Sequence, residues 1–152
     1  MESNSVIRPL EVIDLEQVVT IEQEAHEYPW KKSIHLSCIE QEYPSLVLER
    51  EGQILAYVIF NYLYDECHLM NITTQSSHQG QGIATQLIQS LYSHAKLAGM
   101  KSVLLEVRES NQPAIAFYQR QQFEVIGQRL GYYPATGGRE AAIVMRKALL
   151  EA

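Results

Sequence analysis

The sequence predicts a mixed α/β fold (α+β in its element order), a sheet covered by helices, and two observations carry that expectation. Short runs rich in Val, Ile, Leu and Tyr recur along the chain, bounded by Gly, Pro and Asn, as strands are. Between them lie stretches whose apolar residues return every three or four positions, the period of a helix packed on one face. Helices interspersed with strands and hairpins make a mixed sheet with a helical cover.

In order, residues 6–10 (Val-Ile-Arg-Pro-Leu) form the first strand. Asp14-Leu15-Glu16 opens a helix that carries Val18, Val19 and Ile21 and ends near His26. Tyr28-Pro29-Trp30 breaks it, because proline disfavours helical backbone in the residue before it. A second helix covers 33–40. Residues 46–50 are a strand, Glu51-Gly52 the turn, and 54–62 the next strand, rich in Ile, Val, Phe and Tyr. Residues 67–74 make a further strand. Ile83, Leu87, Leu91 and Ala95, four residues apart, mark a long helix to about Leu97, closed by Gly99 as a C-cap. Residues 102–107 are a strand. Asn111 caps a helix through Gln121, with Pro113 tolerated in its first turn. Residues 123–126 are a strand, and 141–145 the last, beyond a loop from Pro134 to Gly138. No repeat, low-complexity run or Pro/Gly-rich linker interrupts the chain, so a single domain over residues 1–152 is expected.

A chain of 152 residues is long enough to bury one core. Its 46% hydrophobic and 20% charged residues are ordinary for a soluble globular protein. No apolar run approaches the roughly 20 residues that cross a bilayer, so no membrane partner is expected. Met1-Glu2-Ser3-Asn4-Ser5 carries no basic segment leading into an apolar stretch, so no signal peptide is expected. Cys38 and Cys67 do not make a disulfide framework, and the expected setting is a reducing cytoplasm. Acidic side chains outnumber basic ones 18 to 12, a net charge of −6. That excess argues against a nucleic-acid backbone as the direct ligand. It suits a basic partner, or simply keeps a small protein in solution.

The stretch Gln79-Gly80-Gln81-Gly82-Ile83-Ala84 joins a strand to a helix through two glycines. The first N–H groups of a helix lack intrahelical partners, and the positive end of its dipole points outward, so such a turn is an anion site. The turn lacks the Gly-Lys-Ser/Thr ending of a P-loop and the third glycine of the dinucleotide fingerprint. Taken alone, it reads either as a phosphate cradle or as a glycine-eased entry into a helix.

In the strand Val103-Leu104-Leu105-Glu106-Val107-Arg108, Glu106 is the odd residue. A strand this apolar is expected to be covered on both faces. A covered carboxyl holds its proton more tightly, which suits a general base. The other reading is a strand-end glutamate paired with Arg108 or Arg129. Tyr118, one turn after Ala114, offers either a proton-donating phenol or half-buried packing. Asn111 reads as a helix cap. His26, His35, His68, His78 and His94 share no ligand spacing with each other or with the cysteines, so no metal site is expected.

The order of these features carries a resemblance. Gln79-x-x-Gly82-x-Ala84 follows a strand. A second strand ends in Leu105-Glu106-Val107-Arg108. Asn111-x-x-Ala114-x-x-Phe117-Tyr118 and Phe123 come next. Together they resemble the GCN5-related N-acetyltransferases from about residue 7 to residue 145, through that family's Gln/Arg-x-x-Gly-x-Gly/Ala motif at the acyl-CoA pyrophosphate. Finer matches are similar to one bacterial branch of the family, which acetylates the N-terminal alanine of a small-subunit ribosomal protein. They are Ala25-His26-x-x-Pro29-Trp30, Asn71-Ile72, and Tyr132-Tyr133-Pro134-x-Thr136-x-Gly138-Arg139-Glu140-x-Ala142-Ile143-x-Met145.

The resemblance implies a mostly antiparallel sheet, splayed at an acyl-CoA cleft and flanked by about four helices. It implies acetyl-CoA as co-substrate, no metal, and a ribosomal protein N-terminus as acceptor. By position, Ile72, Thr73, Thr74, Gly80, Gln81, Gly82, Ile83, Ala84 and Thr85 would contact acetyl-CoA, and Asn111 its pantetheine arm. Glu106 aligns with the general base and Tyr118 with the general acid. Tyr28, Trp30, Tyr132 and Tyr133 would line the acceptor groove, or else pack at loop ends. The chain departs from the pattern at Gly80, where a basic residue is common, and at His78, where an aromatic one is.

Overall fold

The computed structural model describes residues 4–149. The elements are β1 (Ser5–Pro9), a 3-10 turn (Val12–Asp14), α1 (Leu15–Ala25), α2 (Lys32–Glu40), β2 (Ser45–Arg50), β3 (Gln53–Leu63) and β4 (Glu66–Thr74). A second 3-10 turn (Ser76–His78) leads to α3 (Ile83–Leu97), β5 (Ser102–Arg108), α4 (Gln112–Arg120), β6 (Glu124–Ala135) and β7 (Gly138–Ala148). The strands form one sheet in the order β1-β2-β3-β4-β5-β7-β6. The pairs β1–β2, β2–β3, β5–β7 and β7–β6 are antiparallel. No helix among the described residues is long and apolar enough to cross a membrane. The chain gathers into two compact units, one running to Asn61 and resuming over Leu69–His94, the other made of Tyr62–His68 and the residues from Ala95 onward.

In the first unit, β3 is buried without interruption over residues 54–60, as a strand covered on both faces should be. Val18 and Ile21 of α1, Cys38 of α2, and Val47, Ile54, Tyr57 and Ile59 of the strands share one cluster. Leu10, Trp30, Tyr43 and Met70 pack against it. Glu51 and Gly52 turn β2 into β3 with φ of 54° and 81°, the two positive angles a tight hairpin requires. Asp14 accepts two 2.9 Å bonds from the Arg8 guanidinium and one of 2.8 Å from the Glu11 N–H. The Arg8 bond is the main reason its carboxyl sits below the usual range. On α3, Ile83, Leu87, Ile88 and Leu91 are fully buried, which explains the four-residue period in the sequence.

In the second unit, β5 buries Ser102, Val103, Leu105 and Val107, whereas Leu104, Glu106 and Arg108 alternate onto a partly open face. The expectation of cover on both faces fails here. Strand β6 runs for 12 residues where only residues 123–126 were expected. It lies at the end of the sheet and is exposed almost throughout, so the apolar alternation that would have marked it is missing. Its ladder to β7 is interrupted between Val125 and Gly127 and between Arg129 and Tyr133. The expected loop from Pro134 to Gly138 contracts to a two-residue turn, Thr136-Gly137, closed by the pairing of Ala135 with Gly138.

Candidate active site

The first unit holds the glycine turn. Gly80 and Gly82 have φ of 80° and 79°, a left-handed backbone that favours glycine, and a Cβ at either would meet nothing within 4 Å. The glycines are therefore there for backbone direction, not for clearance within the protein. The first rung of α3 runs from the Gln86 N–H to the Gly82 carbonyl at 3.1 Å, so the N–H groups of Gly82, Ile83, Ala84 and Thr85 precede the helical ladder. Gly80, Gln81 and Gly82 are exposed, as an anion cradle must be. Within this turn Ile83 has a buried side chain, so only its main chain can serve a ligand.

The same unit contains a buried polar network absent from the sequence expectations, centred on Glu22 of α1. Tyr57 donates its hydroxyl to Glu22 Oε1, and Asn71 Nδ2 donates to the same oxygen at 2.9 Å. The Trp30 main-chain N–H donates to Oε2 at 2.8 Å. Thr73 Oγ1 donates to Asn71 Oδ1 at 2.7 Å and lies 2.8 Å from His26 Nε2. The sequence carried one signal: Leu15, Val18 and Glu22 follow each other at three and four residues, which puts Glu22 on the apolar face of α1. Trp30 packs on His35 with ring centroids 5.1 Å apart and on the core cluster, and the residue stays half-buried. Tyr28 is half-buried in the loop 26–31.

The second unit brings together Glu106, Tyr132, Arg129 and His68. Arg129 Nη1 donates to Glu106 Oε2 at 2.6 Å, and the Tyr132 hydroxyl donates to Oε1 at 3.2 Å. His68 Nε2 lies 3.9 Å from Oε1. Of the two arginines expected as possible partners, Arg129 rather than Arg108 bonds Glu106. Register explains it: Glu106 and Gly127 both stand opposite Val144, from the two sides of β7, and Arg129 follows two residues later. The Arg129 guanidinium also lies 4.5 Å over the Tyr132 ring. Tyr132 meets Tyr133 edge-on at 4.9 Å, and Arg108 lies 4.5 Å over Tyr133. Burial, with Glu106 nearby, pushes the Tyr133 phenol up to about 12.

Arg139 and Glu140, the odd residues of the C-terminal pattern, brace this cluster. Arg139 donates to the Gly131 and Tyr132 carbonyls at 2.6 and 3.0 Å. Glu140 accepts from Arg108 at 3.0 Å and from the Ser110 main chain and hydroxyl at 3.1 Å each. Ser110 and Arg108 hold its carboxyl below the usual range.

Tyr118 is buried on α4, edge-on to Phe117 and Phe123 at 5.5 Å each. Burial, with Tyr133 adding to it, raises its phenol and keeps it protonated. Asn111 caps α4 through Oδ1, which accepts from the Ala114 N–H at 3.3 Å.

The family model described as the acetyltransferase (GNAT) family matches residues 10–123. The chain belongs to this family. Like other GNAT enzymes, it takes its acetyl group from acetyl-CoA. The chain is 36% identical over 141 residues to the [ribosomal protein bS18]-alanine N-acetyltransferase of Escherichia coli strain K12, covering 93% of this chain and 95% of that one. It is 36% identical over 142 residues to the enzyme of the same name from Haemophilus influenzae, covering 93% and 97%. The crystal structure of the ribosomal-protein-S18-alanine N-acetyltransferase from Escherichia coli superposes with a TM-score of 0.89 at 35% identity, covering 97% of this GNAT chain and 96% of that one.

Proposed function

We propose that this chain transfers the acetyl group of acetyl-CoA to the N-terminal α-amino group of a protein, the alanine terminus of a bS18-type ribosomal protein. The observation that carries the reading is the 36% identity, over 93% of the chain, to enzymes named for that reaction. The exposed glycine turn at the start of α3 supports it on the donor side. The whole chain then works as one acetyltransferase domain, supported by a family match that runs through both units. Its setting is the cytoplasm, where acetyl-CoA and ribosomal proteins meet.

An α-amino group titrates near 7.7–8.0, so much of it is protonated at neutral pH, and only the neutral amine attacks a thioester. Glu106 takes the proton. Oε2 is held by Arg129, so Oε1, which accepts only the longer Tyr132 bond, is the oxygen left for it. The amine nitrogen then bonds to the acetyl carbon, giving a tetrahedral intermediate whose oxyanion is met by main-chain N–H groups of Ile72, Thr73 and Thr74. Collapse breaks the carbon–sulfur bond, Tyr118 gives its proton to the leaving thiolate, and the extra proton on the new amide nitrogen returns through water to the Tyr118 phenolate. N–H groups of Gly80, Gln81, Gly82, Ile83, Ala84 and Thr85 hold the pyrophosphate without a basic side chain at position 80. Asn111 keeps its cap through Oδ1 and offers its amide hydrogens to the pantetheine arm. Tyr28, Trp30, Tyr132 and Tyr133 line the path of the acceptor.

The acceptor is tested with two peptides, one starting with a free alanine and one N-terminally blocked copy that keeps a lysine. Acetylation of the first alone is expected. Acetylation of the blocked copy reassigns the enzyme to lysine or small amines. Tight acetyl-CoA binding with no transfer to either makes it a binding module.

A further inference from the structure

Glu22 takes part in no step of the reaction above, yet it is 2% exposed, the most buried carboxylate among the described residues. A buried carboxylate is costly unless its oxygens are satisfied. Glu22 accepts from the Tyr57 hydroxyl, Asn71 Nδ2 and the Trp30 main chain, and Thr73 Oγ1 and His26 Nε2 lie 3.5 and 3.6 Å from its Oε1. That fixes the direction of the whole network. Asn71 has its amide nitrogen toward Glu22, so its oxygen faces Thr73, whose hydroxyl donates to it. The Thr73 oxygen is then free to accept from His26 Nε2 at 2.8 Å. Tyr57, having donated to Glu22, accepts from His35 Nε2 at 3.2 Å. His35 Nδ1 is left buried and unpartnered, which suits a neutral ring, and burial lowers this histidine below its ordinary value.

The network has two arms. One ends on the main chain of Trp30, in the loop 26–31 between α1 and α2. The other ends on Asn71 and Thr73 of β4. We infer that Glu22 is a positioning residue that locks the loop after α1 to residues 71–73 of β4, so that the incoming N-terminus meets a preformed groove. The inference rests on the assignment, made above, of this loop to the acceptor and of β4 to the acetyl group.

Glu22→Gln tests it with nearly the same shape. One end of the amide becomes a donor, so it faces either the Trp30 N–H or the Tyr57–Asn71 pair with a hydrogen where an oxygen stood. Loss of one hydrogen bond to a charged group should raise the peptide KM about tenfold. The acetyl-CoA Kd should move far less than the peptide KM, because β4 stays held in the sheet and the glycine turn is untouched. Asn71→Ala removes the β4 arm alone and should move the peptide KM in the same direction. Hydrogen exchange at the Trp30 amide should quicken in Glu22→Gln, with or without substrate. Folding is checked by circular dichroism, and Asn71→Ala decides alone if Glu22→Gln does not fold. A folded variant with wild-type peptide KM and an equally protected Trp30 amide overturns the inference. So does a parallel rise in peptide KM and acetyl-CoA Kd, the mark of general loosening. A wild-type protein that ignores the alanine peptide, yet protects the Trp30 amide through Glu22, overturns the acceptor reading and keeps the lock.

Discussion

Each unit presents one carboxylate at its centre, and the two are held in opposite ways. Glu22 is 2% exposed and accepts from neutral donors in β3, β4 and the loop after α1, with the His26 ring nitrogen 3.6 Å from its Oε1. Glu106 has a side chain 15% exposed and is held by a guanidinium that is itself 56% exposed. A buried acid ringed by short, neutral hydrogen bonds cannot let go of any one of them without leaving an unsatisfied group in the core. A half-open acid held by an exposed surface cation can, because the cation is stabilised almost as well by water. The contrast explains why a proton acceptor belongs with the second arrangement and a geometric anchor with the first.

The largest test of this contrast is Glu106→Gln, which keeps the shape and removes the base. General-base catalysis typically contributes roughly 10²–10⁴-fold, so kcat should fall by that order while the melting temperature barely moves. Unchanged turnover between pH 6 and 9 would sink the assignment. A large loss of stability would instead make Glu106 an anchor like Glu22, and the contrast would collapse.

Next in size is Gly82→Ala. A Cβ at Gly82 meets no atom within 4 Å, so the penalty is purely one of backbone, at φ of 79°. Holding a non-glycine residue there costs about 1–2 kcal/mol. If the turn is a cradle of N–H groups, it relaxes and the KM for acetyl-CoA rises, while the peptide KM stays put. A fall in stability with an unchanged acetyl-CoA KM would leave the turn a mere helix entry.

These groups differ in how visible they were from sequence. Glu106 stood out because strand alternation makes a carboxylate among Val, Leu and Val conspicuous. Its partner was named only as one of two arginines, since choosing Arg129 requires the register of three strands. The helix α3 and the Glu51-Gly52 hairpin were legible because each follows from neighbours in the chain. Strand β6 was not: its 12 residues are held by pairing to β7 and leave almost no apolar pattern behind. Glu22 was missed for a related reason. A glutamate in a helix reads as surface, and only Tyr57, Asn71 and the Trp30 main chain, between 8 and 49 residues away, give it a reason to be inside.

The two units should also fail in different pH windows. Burial holds folded His35 below its ordinary value of 6.5. The unfolded chain therefore takes up a proton near 6.5 that the folded chain refuses, and stability is lost as pH falls through that value, by at most about 1.4 kcal/mol per pH unit. In the second unit, Ser110 and Arg108 hold Glu140 below the carboxylate range, so its contribution persists above about 4.3, the unfolded value, and disappears only as pH falls below it. Urea melts at pH 7.5 and 5.5 read the first window by itself. His35→Gln should flatten the slope between them, and an unaltered slope would remove His35 as its source.

The smallest effect on stability is expected from Arg129→Ala. The guanidinium bonds Glu106 and lies over the Tyr132 ring, but more than half of its surface faces water, and exposed pairs of this kind contribute little. The melting temperature should therefore stay at the wild-type value. The reaction should respond instead. Without the resident cation, Glu106 faces an incoming ammonium group unopposed, and the net charge moves from −6 to −7, so the peptide KM should drop at low ionic strength. Added salt should erase the difference, since screening shortens the reach of both charges. A variant that instead melts early, with a salt-independent KM, would show that the Glu106 cluster is built as rigidly as the network around Glu22. Exposure alone would then no longer separate the acid that moves protons from the acid that holds the frame.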